Sequence, residues 1–123
     1  ALFPRNYDLT LMQCTSSYPV KNEEINLRAI RTLQDRYRLP VGYSGHDKSP
    51  FSSLYSIVLG ARFVEVHCTL DRAMQGTDHS SSLERSALEL IARERDRIPV
   101  VLGDGIKRVY QSELEPRKKL RPI

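Results

Sequence analysis

The sequence predicts an α/β protein built on parallel strands, and three observations lead there. Hydrophobic periodicity switches repeatedly between about 2, the strand period, and about 3.6, the helix period. The switches run strand, helix, strand, helix, strand, helix, which implies parallel strands joined by helical crossovers. Polar and reactive side chains also pool directly after each strand, where parallel β/α folds carry their functional groups.

The elements follow in order. Asp8 to Thr15 reads as the first strand, because Leu9, Leu11, Met12 and Cys14 leave little charge in it. Such near-continuous apolarity suits a strand covered on both faces. Glu23 to Tyr37 reads as one helix, with Leu27, Ile30, Leu33 and Tyr37 on one stripe and Arg28, Arg31, Gln34 and Asp35 pointing outward. Glu23 and Glu24 complement its positive start. After Pro40, Val41 to Ser44 is a short second strand. Ser49-Pro50 opens the next helix, Ser as N-cap and Pro in the first turn. Phe51, Leu54, Tyr55 and Val58 give it an apolar stripe, and Gly60 caps its end. Arg62 to Cys68 is the third strand, with Val64 and Val66 on one face. A polar loop from Thr69 to Ser80 precedes a capping box of Ser81 and Glu84. The last helix buries Leu83, Ala87, Leu90 and Ile91, and Pro99 to Leu102 is a short apolar run before a polar tail.

Composition narrows the class. The 123 residues carry a net charge of +4, with 40% hydrophobic and 28% charged residues and two Cys. No apolar run is long enough for a membrane span, the mixed charge excludes a disordered chain, and two Cys make no disulfide framework. Ala1 to Thr10 lacks a secretory pattern, so a reducing, cytoplasmic setting is expected. The basic excess lies mostly in the tail, at Lys107, Arg108, Arg117, Lys118, Lys119 and Arg121. No aromatic interleaving, zinc-finger spacing or RNA-binding signature accompanies it, so nucleic acid is not the expected partner. A small anionic substrate uses positive charge equally well. Three parallel strands cannot close a barrel, which takes about eight β/α units and about 250 residues. The chain is either a small open sheet or the last part of a barrel. Its opening on Ala1 rather than Met fits a piece of something longer.

The strand ends hold the candidate chemistry. They read Gln13-Cys14-Thr15-Ser16-Ser17-Tyr18-Pro19, Gly42-Tyr43-Ser44-Gly45-His46-Asp47 and Val64-Glu65-Val66-His67-Cys68-Thr69. Alternation puts Ser44 and His46 on one face, and Glu65 and His67 on one face, opposite Val64 and Val66. Two neutral imidazoles from adjacent strands are a natural ligand pair for a divalent transition metal. The competing reading makes each histidine a hydrogen-bonded structural residue. An inward carboxylate such as Glu65 needs a partner or a task. Thr15-Ser16-Ser17 also reads as a loop or capping cluster, Cys14 and Cys68 as small buried hydrophobes, and His79 as a solvated loop residue. Asp78 either caps the following helix or binds a polyol.

Five stretches then resemble the sialic acid synthase family, in its order and spacing. They are QCTSSYP (13–19), INLRAI (25–30), LPVGYSGH (39–46), LGARFVEVHCTLDR (59–72) and GTDHSSSLE (76–84). The resemblance implies a (β/α)8 TIM barrel, with residues 1–110 forming about its last three β/α units. Residues 111–123 resemble the linker to an antifreeze-like domain. It implies condensation of phosphoenolpyruvate with N-acetylmannosamine or a related N-acyl sugar, giving a nine-carbon 2-keto acid and phosphate. It implies a divalent metal, Mn2+ or Mg2+, held by His46 and His67. Ser44 and Ser16 match donor-site positions, Tyr18 and Asp78 match positions that hold sugar hydroxyls, and Glu65 matches a carboxylate near the metal. It also implies a homo-oligomer, a dimer, whose antifreeze-like domain reaches the partner's site. Val66 stands where the family usually has Arg or Lys, and Arg85 where Pro is frequent. The family's lysine-bearing earlier strands have no counterpart in this chain. Alternatives are a non-catalytic assembly module, a legionaminic or pseudaminic acid synthase, and a metal-free phosphate-binding β/α domain.

Overall fold

A computed structural model describes residues 8–120. The expectations drawn from Ala1 and from Arg121 lie outside the described residues. Strands β1 (Leu11–Cys14), β2 (Val41–Gly45) and β3 (Val64–Val66) form one parallel sheet in the order β1-β2-β3. The register aligns Cys14 with Ser44, and Ser44 with Glu65. The strands thus match the expected order, with the third shorter than its apolar pattern suggested.

The core lies on the helix-covered face. Val41 and Tyr43 of β2 pack with Ile30, Val20 and Ile25, and Ile30 and Val41 are completely buried. The single helix expected over 23–37 is instead α1 (Asn22–Ile25) and α2 (Ala29–Tyr37). Between them Asn26 takes a left-handed conformation with φ 46°. The Ile25 carbonyl accepts a hydrogen bond from the Gln13 side chain at 3.1 Å, a partner that hydrophobic periodicity cannot register. On α2, Ile30 is buried and Leu27 and Leu33 pack against the core, but Tyr37 is exposed.

Helix α3 (Phe51–Val58) starts and stops as expected. Ser49 Oγ accepts the Phe51 N–H at 3.2 Å, and Gly60, at φ 90°, donates its N–H to the Ile57 carbonyl at 3.0 Å. Its expected apolar stripe is not the packed face. Ser52, Ser53 and Ser56 are buried, whereas Phe51 and Tyr55 are 52% and 59% exposed. Serines are small enough for close approach to the sheet, and hydrogen bonds offset the burial of two of the hydroxyls. Ser52 donates to Asp47, and Ser56 donates to the Ser53 carbonyl.

Beyond β3 the sheet is extended by a parallel bridge between Cys68 and Leu83. Leu83 donates to the His67 carbonyl, and Thr69 donates to the Leu83 carbonyl, both at 2.9 Å. Leu83 is therefore buried as a bridge residue, not as part of the last helix. The expected capping box does not form, because α4 (Arg85–Leu102) begins after Glu84. The Glu84 carboxylate instead accepts the Arg72 N–H at 3.0 Å. The 99–102 run belongs to α4, with Pro99 inside the helix. The tail includes a short helix, α5 (Leu114–Leu120). Among the described residues, no helix is long and apolar enough to cross a membrane.

Candidate active site

The face of the sheet opposite the core carries the site. Strand alternation brings Cys14, Ser44 and Glu65 into one register row, with His46 and His67 two residues further along their chains. Ser44, which is buried, donates its hydroxyl hydrogen to Glu65 Oε1 at 2.8 Å. Glu65 thus has the partner its inward position demanded, though its side chain remains exposed.

The two imidazole rings lie 5.2 Å apart, centroid to centroid, with their planes at 69°. His46 Nδ1 is 2.8 Å from the Thr15 carbonyl oxygen. A carbonyl only accepts, so Nδ1 carries the proton and the Nε2 lone pair is left available. His67 Nδ1 faces Asp78 Oδ2 at 3.6 Å, just beyond hydrogen-bond distance. A histidine tied through one nitrogen to a carbonyl or carboxylate is the usual orientation of a metal-binding imidazole. Among the described residues, no group of three or more His, Cys, Asp or Glu converges as a metal cluster. The donor set visible here is therefore two imidazoles, which fits a divalent ion with its other positions open to water or substrate.

Tyr18 closes one side. Its ring is 4.6 Å from that of His67 and meets the His46 ring edge-on at 5.5 Å. The Tyr18 hydroxyl is 2.9 Å from the Asp78 carbonyl and 3.0 Å from Ser82 Oγ, and Ser82 Oγ also donates to that carbonyl at 2.8 Å. Asp78 thus contributes its main chain to Tyr18 and its carboxylate to His67. Its side chain does not cap the following turn.

Five of the sequence-derived site residues beyond Glu65 therefore gather in one place: Tyr18, Ser44, His46, His67 and Asp78. Ser16 is exposed and joins none of these hydrogen bonds. Its neighbours belong to the loop and do not cap the N-terminus of α1: Thr15 donates to the Glu24 carbonyl at 2.8 Å, and Ser17 Oγ is 3.5 Å from Glu24 Oε2. Other expectations need correction. Cys14 and Cys68 are exposed, and Cys14 Sγ lies 3.9 Å from His46 Nδ1. Cys14 is exposed because its strand side faces the open site. His79 is half-buried, with Nδ1 2.8 Å from Thr69 Oγ1. Sequence reasoning missed Ser82, hidden in a run of three serines, and the Thr15 carbonyl, which no side-chain pattern announces.

A parallel sheet with polar groups converging beyond its strand ends is the arrangement of β/α enzymes. The chain belongs to the NeuB family, whose model matches residues 3–107. It is 40% identical over 109 residues to the N,N'-diacetyllegionaminic acid synthase of Campylobacter jejuni, covering 89% of this chain and 33% of that protein. It is 37% identical over 118 residues to the human N-acetylneuraminate-9-phosphate synthase, covering 95% of this chain and 33% of that protein. A crystal structure of the N-acetylneuraminic acid synthetase from Leptospira borgpetersenii, in complex with citrate, superposes with a TM-score of 0.74 at 38% identity. That match covers 93% of this chain and 41% of the other. The resemblance read from the strand ends is therefore correct at the family level. The chain spans about a third of the length of the curated relatives it matches.

Proposed function

We propose that the chain is a sector of a (β/α)8 barrel and carries part of a synthase site. In that site phosphoenolpyruvate and water react with N-acetylmannosamine or a related N-acyl sugar: a carbon–carbon bond forms to the sugar aldehyde, the phosphate ester is broken, and a nine-carbon 2-keto sugar acid and phosphate leave. One observation supports this reading above the others: a hydrogen-bonded Ser44–Glu65 pair shares its face with two imidazoles 5.2 Å apart, one of them fixed through Nδ1 to the Thr15 carbonyl. His46 and His67 would hold a divalent ion, manganese or magnesium, whose Lewis acidity would polarise the sugar aldehyde. The chain's own residues do the rest. The Ser44 hydroxyl turns from Glu65 to a phosphate oxygen of the donor, and Ser16, on the loop after β1, adds a second hydroxyl there. Glu65, released from Ser44, is free to orient ligands or accept a proton. Tyr18 and Asp78 hold hydroxyls of the acceptor sugar at the rim. The working form is a homo-oligomer, a dimer.

A second reading changes only the acceptor. Legionaminic acid synthesis draws on the Campylobacter relative and uses the same strand ends. Incubating a complete barrel that contains this sector with phosphoenolpyruvate and each candidate N-acyl hexosamine, then measuring product mass and phosphate release, tests both. The expected result is phosphate released in step with a product carrying three carbons more than the acceptor. Phosphate release without a longer sugar acid contradicts the condensation.

A further inference from the structure

The loop after β2 carries His46 and is held from several sides. Val20 donates its N–H to the His46 carbonyl at 3.1 Å, and Thr15 holds the ring. The next residue, Asp47, is buried, which a carboxylate tolerates only with partners. It has two. Tyr43 donates its hydroxyl hydrogen to Oδ1 at 3.3 Å, and Ser52 donates to Oδ2 at 2.6 Å. Both donors are themselves buried, Tyr43 to 2% and Ser52 to 8% exposure. Tyr43 lies in β2 and points to the helix side, and Ser52 lies in the first turn of α3. A carboxylate adjacent in sequence to His46 is thus fixed to the strand before it and to the helix after it. Arg72 braces the same loop from beyond β3, donating from Nη2 to the Lys48 carbonyl at 3.0 Å.

We propose that Asp47 is a positioning residue: clamped by Tyr43 and Ser52, it holds His46 at the orientation in which Nδ1 meets the Thr15 carbonyl. This rests on the reading of His46 as a ligand, but the orientation itself is measurable without metal. Burial and the Asp47 carboxylate both push the Tyr43 phenol up, in keeping with a hydroxyl that donates to a buried carboxylate.

The test must separate positioning from mere support of the fold. Ser56 is the control: its buried hydroxyl sits on the same face of α3 and donates to the Ser53 carbonyl at 2.7 Å, away from Asp47. In the full chain, long-range nitrogen–proton NMR reads the His46 tautomer in wild type, Ser52→Ala, Asp47→Asn and Ser56→Ala. Manganese affinity is measured on the same samples. Wild type and Ser56→Ala are expected to show the Nδ1–H tautomer. Ser52→Ala and Asp47→Asn are expected to show mixed tautomers and to lose about 10-fold in manganese affinity. Should Asp47→Asn not fold, Ser52→Ala decides. Unchanged His46 signals in Ser52→Ala, or an equal change in Ser56→Ala, overturns the clamp. Should wild type bind no manganese, the metal reading fails, and the ring signals alone judge the clamp.

Discussion

At the scale of residues, the site follows from pleat alternation and register. Ser44, His46, Glu65 and His67 were legible because a two-residue period dictates which side chains share a face. The Thr15 carbonyl that orients His46 was not, since every residue has a carbonyl. Gly42 shows how tightly this face is set. A Cβ there would collide with the Met12 sulfur and come within 2.8 Å of the Phe63 carbonyl oxygen. That oxygen already accepts the Tyr43 N–H at 2.9 Å, so it cannot yield without loss. Gly42→Ala is therefore expected to destabilise by about 1–3 kcal/mol, read as a lower urea midpoint. Tyr43 supplies a pH prediction. Burial first, then Asp47, raises its pKa above the ordinary tyrosine value of about 10. The folded state holds that proton more tightly than the unfolded state. Its contribution is complete below about pH 10 and is lost as pH rises above it. Wild type should lose urea stability relative to Tyr43→Phe over that alkaline range, and parallel curves would contradict the assignment.

At the scale of elements, hydrophobic patterns found every strand and most helices, and failed where chemistry other than hydropathy decided. Helix α3 packs through serines because backbone approach rewards small size, a property that a polarity scale hides. The 23–37 helix divides at Asn26, where a left-handed residue lets Ile25 reach the core while its carbonyl meets Gln13. Asn tolerates that conformation, and a β-branched residue does not. Asn26→Val is expected to cost about 1–2 kcal/mol, whereas Asn26→Gly should stay within a few tenths of wild type. Paired thermal or urea denaturation of the two variants checks this. Equal losses would mean that the side chain, not the backbone angle, holds the division.

At the scale of the whole molecule, β1 and β3 are the edge strands of a three-stranded sheet among the described residues, and only the chain beyond β3 gains a further neighbour, through the Cys68–Leu83 bridge. Composition alone describes an ordinary domain and is blind to this, because it counts apolar residues without saying what covers them. The strand-end motifs were the better guide. They pointed to the family to which the chain belongs, and the chain spans about a third of the length of the curated relatives it matches. In the function proposed above, two imidazoles from neighbouring strand ends would form the metal-holding part of a synthase site. Manganese titration followed by electron paramagnetic resonance tests it most directly, comparing wild type with the His46→Ala, His67→Ala double variant. Saturable loss of the free-manganese signal is expected in wild type and none in the double variant. Equal binding by both would contradict it.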